Sequence, residues 1–78
     1  MKSGKIKNIT PKQFREFLDY QGLKHIRTKG GHEVWSRQDL TRPVIIQNHL
    51  NPIPEFVVKN NLHTIGSTKQ ELLDFIGR

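Results

Sequence analysis

The chain predicts an α+β fold in the order α-β-β-β-α-α: a three-stranded antiparallel sheet with helices packed on one face. Three observations carry this. A helix-start signal and an aromatic stripe at helical spacing open the ordered part. Three strand-like runs follow, joined by connections too short for anything but antiparallel pairing. Two more apolar stripes at helical spacing end the chain. At 78 residues it is expected to be one domain, 1–78, with a modest core and marginal stability.

Residues 1–8 carry Lys2, Lys5 and Lys7 and read as a flexible basic lead-in. The first helix is announced by Thr10 as N-cap, Pro11 at the first helical position and Gln13 three residues after the cap. This is a capping box, with Ile9 and Phe14 at the two positions of a hydrophobic staple. Phe14, Phe17 and Leu18 share one face and belong to the core. Gly22 ends the helix.

Residues 23–28 and 32–37 are the first two strands, and the Gly30-Gly31 pair between them reads as a hairpin turn. Alternate side chains share a face, so His32, Val34 and Ser36 oppose Glu33, Trp35 and Arg37. Trp35 is the only tryptophan and brings the largest apolar surface, so its face is the buried one. His32 then stands on the open face. Pro43 to Gln47 form the third strand, with Val44 and Ile46 in the core and Ile45 beside His32 and Val34. An apolar patch there suits a surface that a partner covers. After a connector, a helix starts at Pro54 and buries Val58, Leu62 and Ile65 before Gly66 stops it. Ser67 with Gln70 makes a second capping box, and Leu72, Leu73 and Ile76 give the last helix its apolar face.

Thirteen Lys and Arg against seven Asp and Glu give a formal charge of +6, which favours an anionic partner, either nucleic acid or an acidic protein. The chain has no cysteine, which excludes disulfides and thiolate metal sites and suits a cytoplasmic location. The histidine spacings match no common metal motif, so no metal or other cofactor is expected. No apolar run approaches the roughly 20 residues of a membrane span, and the basic N-terminus lacks the apolar region of a signal peptide.

The run Arg27-Thr28-Lys29-Gly30-Gly31-His32 sets an imidazole at the mouth of a glycine turn beside two cations. This arrangement can hold a phosphodiester against a proton acceptor. Together with the element order, the Gly22-Leu23 helix exit and the later stretch His49-Leu50-Asn51-Pro52-Ile53-Pro54, it resembles the HicA toxins. These are small ribonucleases of bacterial and archaeal toxin–antitoxin pairs. The resemblance covers about residues 11–76, and its specificity lies in the order and spacing of motifs that are individually weak. The family pattern, approximately Lys-Gly-Ser-His, falls on Lys29-Gly30-Gly31-His32. The chain departs from it at Gly31, where serine is usual, and at Glu33, where a second histidine is frequent.

The resemblance implies a fold related to the double-stranded-RNA-binding domain, cleavage of messenger RNA, and a HicB-like antitoxin protein that masks the active site. The family's catalytic histidine falls on His32. A metal-free ribonuclease needs a base for the ribose 2′-hydroxyl and cations for the charge that develops on phosphate oxygens. An unperturbed imidazole titrates near pH 6.5, so it is largely neutral and able to accept a proton near pH 7. His32 is assigned as that base. Lys29 and Arg27 are assigned to phosphate, with the Gly30 and Gly31 amides as further donors and Lys24 extending the RNA track. His49 is the candidate for a second catalytic group, while His25 and His63 are read as solvated or structural. Two alternatives stand beside the nuclease: an RNA-binding module that does not cut, and a basic protein-interaction domain.

Overall fold

A computed structural model of the chain describes residues 6–77. Helix α1 (Pro11–Tyr20) begins at the expected cap. Thr10 Oγ1 accepts from the Gln13 amide at 3.1 Å, and Gln13 Oε1 accepts from the Thr10 amide at 3.0 Å. Two amides with no partner inside the helix are thereby satisfied. Thr10→Ala is expected to lower stability by about 1 kcal/mol, measured as a lower urea midpoint at unchanged slope. At the other end Gly22 takes φ 88°, and the amides of Gly22 and Leu23 reach back to the carbonyls of Asp19 and Leu18 at 3.0 and 2.9 Å. This closure needs a residue at ease with positive φ.

The strands are β1 (Lys24–Lys29), β2 (His32–Ser36) and β3 (Val44–Gln47), antiparallel in the order β1-β2-β3. They differ from expectation only at their ends. Leu23 is tied to the exit of α1, and Pro43 has no amide for the ladder. Arg37 leaves the sheet after β2. Its guanidinium donates to the carbonyls of Gln21 at 2.6 Å and Ile65 at 3.2 Å, and pairs with Asp39 at 2.6 Å. One side chain thus joins the C-terminal ends of two helices to the loop that leads to β3.

Helix α2 (Glu55–Ile65) starts one residue later than expected, because Pro54 has an extended ψ of 142° and serves as N-cap. Gly66 ends it at φ 71°. Helix α3 (Lys69–Ile76) is capped by Thr68 and Glu71, which corrects the expected Ser67–Gln70 box. The carboxylate is the stronger acceptor and takes two donors: the Ser67 hydroxyl at 2.6 Å and the Thr68 amide at 3.0 Å. Gln70 turns instead to Asp74.

The core lies between the helices and one sheet face. Phe14, Phe17, Leu18 and Leu23 meet Trp35, Val44 and Ile46 of the sheet and Val58, Leu62, Ile65 and Leu72 of α2 and α3, all of them buried. Leu73 and Ile76 are half-buried against this cluster, as their spacing predicts. Phe75 also joins it, its ring edge-on to Phe17 at 5.5 Å, a contact the helical stripe did not reveal. The lead-in reading needs correction at Ile6, which is fully buried; Ile9, expected in the staple with Phe14, is buried as well, and its carbonyl accepts from the Ile53 amide at 2.8 Å. Burial of these two apolar side chains anchors the segment despite its flanking lysines. Lys2 and Lys5 lie outside the described residues. Among the described residues no helix is long and apolar enough to cross a membrane.

Candidate nucleic-acid interface

The hairpin turn is built from Gly30 at φ 57° and Gly31 at φ 83°. A two-residue loop with both residues at positive φ matches the twist of the strands it joins. A Cβ at either position would meet nothing within 4 Å, so the constraint is backbone conformation and not space. The Gly31 carbonyl accepts from the Asn48 amide at 2.8 Å, which ties the turn to the end of β3.

This turn fixes the register. Lys29 lies directly across from His32, and His32 across from Gln47. Directly opposed residues of an antiparallel pair point to the same face. His32 is exposed while Glu33 and Trp35 are buried at 8% and 9%, so the imidazole stands on the open face, as alternation along β2 predicts. Val34 and Ile45 face each other beside it, Val34 half-buried and Ile45 exposed.

Strict alternation would put Lys24 on the opposite face from Arg27 and Lys29. A β-bulge between His25 and Arg27 changes the phase. Lys24 pairs with Ser36, Arg27 with Val34 and Lys29 with His32, so all three cations share the open face. None of them belongs to an ion pair among the described residues, where the three pairs are Lys12–Glu16, Arg15–Glu33 and Arg37–Asp39. All three cations are exposed.

The remaining histidines sort by place. His25 turns to the helix side, its ring 5.5 Å from Trp35 and its Nε2 sharing a 2.7 Å hydrogen bond with Thr28. His63 is exposed on α2. His49 is exposed in the turn after β3, two positions beyond the residue opposite His32, and so lies at the same end of the sheet.

Beneath the hairpin, on the helix face, lies a network that the sequence did not reveal. Arg15 Nε donates to Glu33 Oε1 and Oε2 at 2.9 and 3.0 Å, and its Nη2 lies 2.7 Å from Oε2. Trp35 Nε1 donates to Glu33 Oε1 at 3.0 Å. Arg15 Nη2 also reaches Asn48 Oδ1 at 3.2 Å. A chain of hydrogen bonds therefore runs from α1 through Asn48 to Gly31, next to His32. Hydrogen bonding to Arg15 holds the Glu33 carboxyl below its ordinary range, against the opposing effect of burial. Glu33 in turn raises the Arg15 guanidinium.

A depressed carboxyl pKa stabilises the fold above the unfolded value, about 4.3, and that stability is lost as pH falls through the folded value. Urea midpoints are therefore expected to drop on acidification below about pH 4. Glu33→Gln should shrink that drop, and an acid limb of unchanged size in this variant would remove Glu33 as its source.

A comparison with protein-family models, with curated proteins and with solved structures finds no match to this chain.

Proposed function

We propose that this chain is a metal-independent RNA endonuclease of the HicA kind, the toxin of a toxin–antitoxin pair. The observation that carries the reading is the register around the hairpin: an exposed imidazole with Lys29 directly across from it and Arg27 and Lys24 further along the same face. His32 takes the proton from a ribose 2′-hydroxyl. The 2′-oxygen attacks phosphorus, the bond to the 5′-oxygen breaks, and a 2′,3′-cyclic phosphate and a 5′-hydroxyl result. Lys29 and Arg27 stabilise the charge gathering on the non-bridging oxygens. Lys24 holds the strand further along. The Gly30 and Gly31 amides are assigned as further donors to the phosphate. His49 is assigned to protonate the departing oxygen, through water or directly.

The half-exposed Val34–Ile45 pair beside His32 supports the second half of the reading, a HicB-like antitoxin that covers this face. Cytoplasmic action on messenger RNA belongs to the same proposal.

The test is to incubate purified protein with end-labelled RNA in excess chelator. New fragments ending in 2′,3′-cyclic phosphate are expected. RNA bound with strong salt dependence but left intact would replace the nuclease with a binding module. Cleavage that chelator abolishes would replace the proposed chemistry with a metal-dependent one.

A further inference from the structure

Among the described residues, unpaired cations gather on a second surface besides the one the proposed nuclease site uses. The second surface lies around α2, beside the outer edge of β3, where the Ile45 carbonyl accepts from Asn61 Nδ2 at 3.4 Å. Gly66 turns the chain at the end of α2 so that Ser67 and Lys69 come alongside Lys59 and His63, which are one helical turn apart. These residues, with Leu62, line a cleft of about 230 Å³. His63 also lines a neighbouring cleft of about 360 Å³, with Arg42, Asn60, Asn61 and Thr64. Ile45 and Pro43 complete that second cleft. Ile45 sits across from Val34, so the second cleft begins where the open sheet face ends.

No acidic residue lines either cleft. Arg42, Lys59 and Lys69 are exposed, and none belongs to an ion pair among the described residues. Glu55 stands four positions before Lys59 on α2 without pairing to it, Asp39 is held by Arg37, and Glu71 is held by Ser67 and Thr68. The Thr64 and Ser67 hydroxyls donate to the Asn60 carbonyl and the Glu71 carboxylate, and the Asn61 side-chain amide donates to the Ile45 carbonyl, so the main donors this surface offers are its cations. Exposed, uncompensated cations contact the phosphates of a nucleic acid without reading sequence.

We propose that Arg42, Lys59 and Lys69 form a second RNA-backbone surface, onto which a strand leaving the sheet face passes over the β3 edge. This rests on the reading of the sheet face as an RNA site. Each phosphate contact made by a cation releases bound counterions. For single strands this adds about 0.7 to the slope of log affinity against log salt concentration.

The experiment measures equilibrium binding of a fluorescently labelled single-stranded RNA, long enough to span both surfaces, across a salt series. His32→Ala serves as background so that the RNA stays whole. The triple variant Arg42→Gln, Lys59→Gln, Lys69→Gln is expected to flatten the slope by about 2 and to weaken binding at low salt. Lys12→Gln, a lysine already paired on α1, is expected to change neither. In the protein with His32 intact, the triple variant should cleave a dinucleotide at the unchanged rate, because so short a substrate cannot reach the second surface. An unchanged slope overturns the proposal, and it does so equally if the variant instead loses affinity for an acidic protein. A flattened slope in a protein that never cuts RNA would retain the second surface and remove the nuclease reading alone.

Discussion

Replacing His32 with alanine is expected to abolish RNA cleavage and leave the fold intact. The side chain is exposed on the open sheet face, and the buried cluster on the other face contains none of its atoms. Its loss therefore takes away a proton acceptor and little packing. A positioned general base contributes about 10²- to 10⁴-fold, equivalent to about 3–5 kcal/mol of transition-state stabilisation. Single-turnover cleavage of a labelled RNA should fall by at least a hundredfold, with the circular dichroism spectrum and urea midpoint unchanged. His49→Ala tests the partner role in the same assay. Cleavage by His32→Ala at the original rate would take the imidazole out of the chemistry and leave the face as a binding surface only.

Phe17→Ala should produce the largest loss of stability, about 3–5 kcal/mol. The ring is fully buried, stacked on Phe14 at 6.4 Å and edge-on to Phe75 at 5.5 Å, so it joins α1 to α3. Contraction of the surrounding helices cannot fill the cavity left by a whole ring. Domains are typically stable by about 5–15 kcal/mol, and one this short belongs near the lower limit. The variant is expected to be substantially unfolded at room temperature, or to unfold at far lower urea. A midpoint within the error of the parent would mean that the aromatic cluster is not the centre of the core. The two variants separate the faces of the sheet: Phe17→Ala loses fold and function together, His32→Ala function alone.

What could be read in advance follows the range of the interaction responsible. The Thr10 cap and the burial of Trp35 depend on neighbours within a few positions, and both are present in the chain as ordered. So is the exposure of His32, because β2 alternates without interruption. The last cap falls one residue later than read, because Ser67 and Thr68 are adjacent and each has a suitable partner three positions on. Only the competition between an amide and a carboxylate decides it. The Arg15–Glu33 pair joins residues 18 positions apart, and no local pattern announces it. The bulge in β1 is likewise a property of two strands together. It arises where the pairing slips between His25 and Arg27, and it changes the face on which Lys24 stands.

That same irregularity bears on how the molecule behaves in a crowded solution. β1 forms one outer margin of the sheet, where unpaired amides and carbonyls invite another chain to add a strand. A kinked, more strongly twisted margin carrying Lys24, Arg27 and Lys29 is a poor template for such addition, and two copies brought side by side would repel. In the absence of RNA the protein should accordingly resist strand addition along this border.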